Sequence, residues 1–183
     1  MLKTERMDRV RAALRAQGLT QMIVCDPKSV WYLTGVAVEP YERLLALYLP
    51  TEGEPVLFLN RLFNVPEPPC RTVWHTDTDK PVAQIAEVVD AGRPLGIDKE
   101  WPAKFLIPLM ETHPGMQVVL SSDCVDDCRA CKDGEEQALM REASRINDAV
   151  NEAAKHYIKA GMTEREVAEF IDAQFRAHGC EGP

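Results

Sequence analysis

Three closely spaced cysteines form the sharpest pattern of residues that could carry chemistry. Cys124, Cys128 and Cys131 have the spacing Cys-x3-Cys-x2-Cys, and three thiolates at such spacing can hold a cubane iron–sulfur cluster. Three aspartates lie among them, and their negative charge disfavours an anionic thiolate cluster. A zinc site would need a fourth cysteine or histidine nearby, and the sequence has none there. We therefore interpret the spacing as coincidental and predict reduced, separate thiols.

Isolated acidic residues are the next candidates. Asp26, Asp98 and Asp123 each follow a predicted strand, where carboxylates often bind ligands in α/β folds, although turn and capping duties explain such residues equally well. The four histidines are far apart and never lie at metal-ligand spacing from one another, so we expect surface or packing roles. No dinucleotide fingerprint, phosphate loop, nucleophile elbow or zinc-protease motif occurs.

One loop combines an aromatic ring with a guanidinium group. The segment 36–43 places Tyr41 and Arg43 before a predicted strand, where they could meet a carboxylate or a ring of a ligand. The alternative is a surface loop with an ion pair at its rim. Residue types and spacing alone therefore name no reaction.

Composition excludes several classes of protein. The chain has 183 residues, 45% of them hydrophobic, and a formal charge of −8. The part before Asp133 carries 15 basic and 18 acidic residues, and the rest carries 6 and 11, so neither part has the basic excess of a nucleic-acid binder. The charged N-terminus leads into no apolar signal segment, and no window resembles a membrane span. We predict a cytoplasmic protein with no nucleic-acid or membrane partner.

The elements before residue 130 predict an α/β fold. Short apolar runs of strand length alternate with helical patterns. Thr4 is expected to cap a first helix, and the run 30–35 is expected to form a short strand that ends at Gly35. Arg43–Leu49 and Pro55–Leu59 flank a turn-rich connector, so we expect them to pair in antiparallel fashion. About six strands with three or four flanking helices give a mixed sheet covered by helices. Residues 1–130 are predicted to form one domain.

Beyond this domain the pattern is purely helical. Asp133 and Glu136 form an acidic capping box, and an apolar stripe from Leu139 to Tyr157 follows at helical spacing. Thr163 and Glu166 form a second capping box before another helix. We predict that residues 131–183 comprise a hinge and two long helices whose apolar stripes need a covering surface.

Three motifs, in order, resemble the creatinase, prolidase and aminopeptidase P superfamily. Residues 26–35, Asp-Pro-Lys-Ser-Val-Trp-Tyr-Leu-Thr-Gly, resemble its N-terminal strand and turn. Arg129, Lys132, Asp133 and Glu136 resemble its Arg-x-x-Lys-(Asp/Ser)-x-x-Glu entry to the catalytic domain. The segments 161–167 and 179–183 are similar to the second helix of that domain and to the approach to its first catalytic strand.

The resemblance implies a creatinase-type N-terminal domain followed by the first two helices of a "pita-bread" catalytic domain. In peptidase members that domain holds two divalent metals, commonly manganese, cobalt or zinc, with two Asp, one His and two Glu, and a bridging hydroxide attacks the bond before a proline. All five ligands would lie downstream of residue 183. The resemblance thus implies no catalytic, cofactor or metal residue in this chain, and we expect a truncated, inactive piece.

The predicted function is that of the N-terminal portion of an Xaa-Pro dipeptidase-like metallopeptidase, a homodimer acting on proline-containing dipeptides or peptides. Family dimers pass a loop of the N-terminal domain to the partner's active site, which implies that Tyr41 and Arg43 are substrate-entrance residues. Three alternatives stay open: a peptidase-like binding module without catalysis, a creatinase-like amidinohydrolase, and an iron–sulfur enzyme. Metal ligands encoded beyond residue 183 would separate the first of these from a peptidase, and brown, iron-containing protein would indicate the last.

Overall fold

The computed structural model describes residues 2–181 and divides the chain into two compact units, Met1–Cys131 and Lys132–Pro183. The described residues contain six strands and seven helices. The strands are β1 (Gln21–Val24), β2 (Ala46–Pro50), β3 (Val56–Asn60), β4 (Arg71–His75), β5 (Leu95–Ile97) and β6 (Val118–Leu120). The helices are α1 (Thr4–Ala16), α2 (Pro27–Thr34), α3 (Pro81–Ala86), α4 (Ala103–Thr112), α5 (Asp123–Ala130), α6 (Gly134–Tyr157) and α7 (Glu164–Ala177).

The six strands of the first unit form one mixed sheet in the order β4-β3-β2-β1-β5-β6. Strand β2 is antiparallel to both β1 and β3, which confirms the predicted antiparallel pair. The other three pairings are parallel. The carboxyl ends of β1, β5 and β6 therefore meet at one edge of the sheet.

Two apolar layers cover the sheet, one on each face. Met22 and Val24 of β1 belong to a cluster with α1, α2 and α5, whereas Ile23 belongs to a cluster with α3 and α4. This alternation follows from the period of two in a strand. Strands β1 and β3 are buried at every position, as expected for strands covered on both faces. The predicted fold class is confirmed.

Residues 27–34 form helix α2, so the expected strand there is wrong. Asp26 caps the helix by accepting hydrogen bonds from the amides of Lys28 and Ser29. Pro27 occupies the first helical turn, where a missing amide costs nothing, and Gly35 ends the helix at φ +77°. Asp26 and Pro27 therefore begin a helix as well as ending β1.

Two further local expectations need correction. The family resemblance implies an ordinary linker around the three cysteines, whereas residues 123–130 form helix α5. Helix α1 has Lys3 at its N-cap without a side-chain cap, so Thr4 lies inside the helix and does not cap it.

The second unit contains a pair of helices, and both predicted capping boxes are present. The Asp133 carboxylate accepts from the Glu136 amide at 2.9 Å, and the Thr163 hydroxyl accepts from the Glu166 amide at 3.3 Å. Tyr157 stacks on Phe170 with ring centroids 3.8 Å apart. The apolar stripe of α6 is buried at Val150, but Leu139 near its start is 66% exposed. The segment 179–183 resembling the approach to a catalytic strand includes Gly182 and Pro183, which lie outside the described residues.

Candidate functional site

A tight turn presents Tyr41 to solvent. The Arg43 amide donates to the Pro40 carbonyl at 2.9 Å, which closes a four-residue turn. Tyr41 has φ +51°, a left-handed conformation that is costly for a residue with a bulky side chain. Its side chain is nonetheless 79% exposed, so burial of the ring does not compensate for this cost. Such strain is concentrated at functional positions in proteins.

Arg43 holds this turn in place through two hydrogen bonds to Asp77. Its Nε donates to Asp77 Oδ1 at 3.0 Å and its Nη2 to Asp77 Oδ2 at 2.9 Å, a two-pronged arrangement that fixes the guanidinium plane. Nη1 lies 3.0 Å from the carboxylate of Glu42, and Lys104 donates to the Glu42 carbonyl. The hydrogen bonds from Arg43 lower the pKa of Asp77. The guanidinium is thus engaged by the protein's own carboxylates at the surface.

A chain of hydrogen bonds continues from Asp77 into the core. Asp77 Oδ1 also accepts from Asn60 Nδ2 at 2.9 Å, and the same amide nitrogen lies 3.4 Å from Nδ1 of His75. His75 Nε2 lies 3.1 Å from the Leu44 carbonyl, which can only accept, so the proton is on Nε2 and Nδ1 accepts from Asn60. Asn60 and His75 are both almost fully buried. The buried pair therefore fixes the position of the carboxylate that holds Arg43.

These residues surround an open pocket of about 290 Å³. Phe105 and Pro81 form its apolar wall, and Glu42, Asp77 and Asp79 place carboxylates around it. The Asp79 carboxylate accepts from the Thr76 amide, which lowers its pKa. The polar side chains around this pocket are largely hydrogen-bonded to one another, so they are suited to holding the turn in place. They do not pair a free nucleophile with a general base.

A second hollow lies at the other end of the loop. Its volume is about 380 Å³, and the exposed ring of Trp31 lines it together with Lys28 and Glu39. Trp31 on α2 is 55% exposed, which is unusual for so large an apolar side chain. Sequence reasoning missed this residue because it placed residues 30–35 in a strand. The loop 36–43 therefore has an exposed aromatic ring near each end.

The carboxylates that follow strands have structural roles. Asp98 Oδ2 accepts from the amides of Cys25 and Asp26, the latter at 2.8 Å, and Oδ1 accepts from the Glu100 amide at 3.1 Å. Burial raises the pKa of Asp98, and burial together with the Asp98 charge raises the pKa of the Cys25 thiol. Asp123 accepts from Gln17 at 3.2 Å. The edge where β1 and β5 end is thus filled by the protein's own groups.

Arg129 of the family-like motif lies in the first unit and links two helices. Its Nη1 donates to Ser29 Oγ at 3.0 Å and to Asp26 Oδ2 at 3.2 Å, so the end of α5 is tied to the start of α2. Asp126 lies 3.8 Å away on the same helix. The capping-box residues of the motif, Asp133 and Glu136, belong to the second unit.

The three cysteines lie along α5 and do not form a cluster site. Cys124 is buried, Cys128 is half-buried and Cys131 is exposed. Cys131 lies just beyond the last residue of α5, and among residues 2–181 no three cysteine, histidine or carboxylate side chains come together as a cluster site requires. The iron–sulfur alternative does not fit this arrangement.

The sheet with its covering helices forms an α/β unit, and a pair of helices forms the second unit of the chain. The Creatinase/Prolidase N-terminal domain family matches residues 6–131, and Metallopeptidase family M24 matches residues 138–183. The chain therefore belongs to the creatinase/prolidase N-terminal domain family.

Among curated proteins, a probable dipeptidase PepE of Mycobacterium bovis is 29% identical over 177 residues, which cover 92% of this chain and 47% of that protein. An uncharacterized peptidase of Staphylococcus epidermidis is 24% identical and covers 93% of this chain and 49% of its own length. The chain thus spans about half the length of the curated relatives it matches.

Solved structures of the same fold agree with this family. The crystal structure of dipeptidase PepE from Mycobacterium ulcerans superposes with a TM-score of 0.84 at 26% identity, covering 98% of this chain and 50% of that one. Prolidase from Thermococcus sibiricus has a TM-score of 0.85 at 24% identity, with 100% and 51% coverage, and shows the fold alone.

The residues present do not fit a dinuclear metal centre. Within residues 2–181, no three side chains of His, Cys, Asp or Glu converge on a point where they could hold a metal ion. His75 is packed against a carbonyl, and His113 Nε2 lies 3.0 Å from the Ala86 carbonyl. No helix in the described part is both long enough and apolar enough to cross a membrane.

Proposed function

We propose that this chain is the N-terminal portion of a cytoplasmic Xaa-Pro dipeptidase-like metallopeptidase. In this proposal it supplies dimer contacts and controls substrate entry, while hydrolysis and the two divalent metals belong to residues outside the chain. The family membership supports the peptidase class, and relatives named as dipeptidase support a dipeptide substrate. The six free cysteines suit the reducing cytoplasm.

The single observation that carries the gating role is the conformation of Tyr41. A large ring is held at φ +51° and 79% exposed, which costs stability and provides no packing in return. We propose that Tyr41 contacts the substrate or the rim of a partner subunit's active site. Arg43 then acts as a positioning residue, because its guanidinium is occupied by Asp77 and Glu42.

Trp31 extends the proposed entrance surface. A peptide substrate carries an apolar body with an ammonium group at one end and a carboxylate at the other. The hollow beside Trp31 offers an aromatic wall with Lys28 and Glu39 nearby, so it presents both signs of charge next to an apolar face. This composition suits a short zwitterionic peptide passing towards a catalytic site.

The experiment that tests the proposal compares two purified proteins, the product of the whole gene and the 183-residue chain. With manganese or cobalt added, the whole protein should hydrolyse Xaa-Pro dipeptides and the chain should not. The assay should include matched Xaa-Ala dipeptides as controls for selectivity. If the verified 183-residue chain hydrolysed these dipeptides at an enzymatic rate, the proposal that the catalytic residues lie outside this chain would be wrong.

The dimer is tested separately. Light scattering coupled to gel filtration should give twice the monomer mass for the whole protein. A whole protein that is monomeric yet fully active would contradict the role in dimer contacts. A dimeric whole protein that binds proline-containing peptides without hydrolysing them would favour the binding-module alternative instead.

A further inference from the structure

Two of the cysteines on α5 lie three positions apart at the end of the helix. Cys128 is in its last turn and Cys131 is the residue at its C-cap, with φ −92° and ψ 97°. On an α-helix, residues at i and i+3 share a face and their Cα atoms are about 5 Å apart. Disulfides need Cα atoms roughly 4.4–6.8 Å apart, which this spacing meets, and Cβ atoms roughly 3.5–4.5 Å apart, whereas helical Cβ atoms at i and i+3 are about 5–6 Å apart and must approach by about 1–2 Å. Cys124 and Cys131 are separated by roughly 10 Å of helix rise and cannot pair without unwinding the helix.

We propose that Cys128 and Cys131 form a reversible dithiol–disulfide pair that small disulfides such as oxidised glutathione can oxidise. This pair is independent of the peptidase proposal. Both thiols are free in the structure, and Cys131 is exposed while Cys128 is half-buried. The exposed thiol is therefore the one that an external disulfide reaches first.

The reaction takes place in two exchange steps. The Cys131 thiolate attacks one sulfur of oxidised glutathione, which forms a mixed disulfide and releases one glutathione thiolate. Cys128 then gives up its proton to solvent, and its sulfur attacks the Cys131 sulfur, releasing the second glutathione. The protein loses two protons and two electrons, and the external disulfide gains them as two thiols.

The surroundings of α5 slow the second exchange step. Burial is the main cause of the raised pKa of Cys128, so little of this sulfur is present as the reactive thiolate at neutral pH. A helix C-terminus also carries partial negative charge, which disfavours a nearby thiolate. We therefore expect slow closure of the disulfide at neutral pH and faster closure as the pH rises.

The turn that would carry the disulfide is already held in place. Tyr32 donates from its hydroxyl to the Cys128 carbonyl at 3.1 Å, and Arg129 between the two cysteines contacts Asp26 and Ser29. Oxidation therefore requires the Cβ atoms of Cys128 and Cys131 to approach each other while these contacts hold the rest of the last turn. Because the first unit ends at Cys131, the disulfide would stiffen the point at which the chain leaves that unit.

The sequence makes the test direct. Trypsin cleaves after Arg129, so Cys128 and Cys131 fall on different peptides, 105–129 and 130–132. The chain is incubated with excess oxidised glutathione, quenched in acid, alkylated and digested. The expected product is the disulfide-linked pair of peptides, with the intact protein lighter by two hydrogens, and reduced glutathione should reverse it.

Two variants and one matched control decide the result. Cys128→Ser and Cys131→Ser should each lower the linked product by about tenfold or more, because each removes one partner. Cys180→Ser removes a half-buried thiol of the second unit and should leave the yield unchanged. Circular dichroism establishes that the variants fold. A wild-type protein that stays reduced, or stops as a mixed disulfide on Cys131, would overturn the proposal.

Discussion

Arg43 and Asp77 are joined by two parallel hydrogen bonds of 3.0 and 2.9 Å across 34 positions of sequence. This pair fixes the base of the turn that carries Tyr41, and the buried Asn60 holds the same carboxylate from the core side. The turn that carries the exposed Tyr41 ring is thus connected to the sheet by hydrogen bonds from Arg43 through Asp77 to Asn60.

The first prediction concerns pH. The hydrogen bonds from Arg43 lower the pKa of Asp77 in the folded state below its unfolded value of about 3.9. A carboxyl with a lowered folded pKa stabilises the protein above the unfolded pKa, and this contribution is lost as pH falls through the folded pKa. Wild type should therefore be more resistant to urea than Asp77→Asn at pH 7, and the difference should shrink towards pH 3. The effect should be small, because half of the Asp77 side chain is exposed. An equal difference at both pH values would contradict the ionic origin.

The second prediction concerns Tyr41. Glycine adopts φ +51° without steric cost, so Tyr41→Gly should relieve strain in the folded state. The same substitution increases the conformational entropy of the unfolded chain, which partly offsets this gain. The free energy of unfolding should therefore stay unchanged or rise by up to about 1 kcal/mol. In the whole protein the same variant should raise KM for Xaa-Pro dipeptides several-fold, with a smaller effect on kcat. Leu62→Ala, which removes another exposed apolar side chain, is the matched control. Unchanged kinetics in Tyr41→Gly would remove Tyr41 from the proposed entrance.

The third prediction concerns Asp98. Asp98→Ala would leave three backbone amides without their acceptor, and we expect a loss of about 3 kcal/mol in the free energy of unfolding. Asp98→Asn keeps one acceptor oxygen and should cost less. Urea denaturation measures both. Asp8→Ala, at an exposed surface ion pair, should change stability by less than about 0.5 kcal/mol. If Asp98→Ala lowered the free energy of unfolding no more than Asp8→Ala does, the hydrogen bonds from these three amides to Asp98 would not contribute to stability.

The fourth prediction concerns hydrogen exchange. No residue of α7 is buried, and Leu139 and Met140 on α6 are more than half exposed. Amides of residues 133–181 should therefore exchange faster than those of residues 2–125 in the isolated chain. In the whole protein their exchange should slow, because the apolar stripes gain a covering surface. Uniformly slow exchange in a verified monomer of the isolated chain would contradict this.

Sequence patterns predicted the sheet and the two long helices because each rests on local periodicity and caps. The apolar runs of β2 and β3 alternate between the two faces of the sheet, and the two capping boxes mark helix starts. Helix α2 was missed because the run 30–34 is short and mostly apolar, so its length and composition suit a buried strand equally well. The cap by Asp26 with Pro27 at the first helical position was the available signal.

Local sequence patterns could not predict the hydrogen-bonded residues behind Tyr41, which are Arg43, Asp77, Asn60 and His75. Asn60 and His75 face each other because β3 and β4 are parallel in a register that pairs these two residues. That register depends on the sheet as a whole, and no spacing in the sequence encodes it. Tyr41 and Arg43 were selected as residue types in a loop, but the left-handed backbone at Tyr41 and the engagement of Arg43 by Asp77 emerge only from the folded structure.

The bonds at Asp98 also have a consequence for synthesis on the ribosome. The carboxylate serves amides that lie 72 and 73 positions earlier in the chain. A nascent chain that has released β1 but not yet β5 therefore holds two amides whose acceptor has not emerged, and closing so long a loop carries an entropic cost. The amides that follow β1 are thus satisfied by a residue made much later, and these two hydrogen bonds can form only after Asp98 has cleared the exit tunnel.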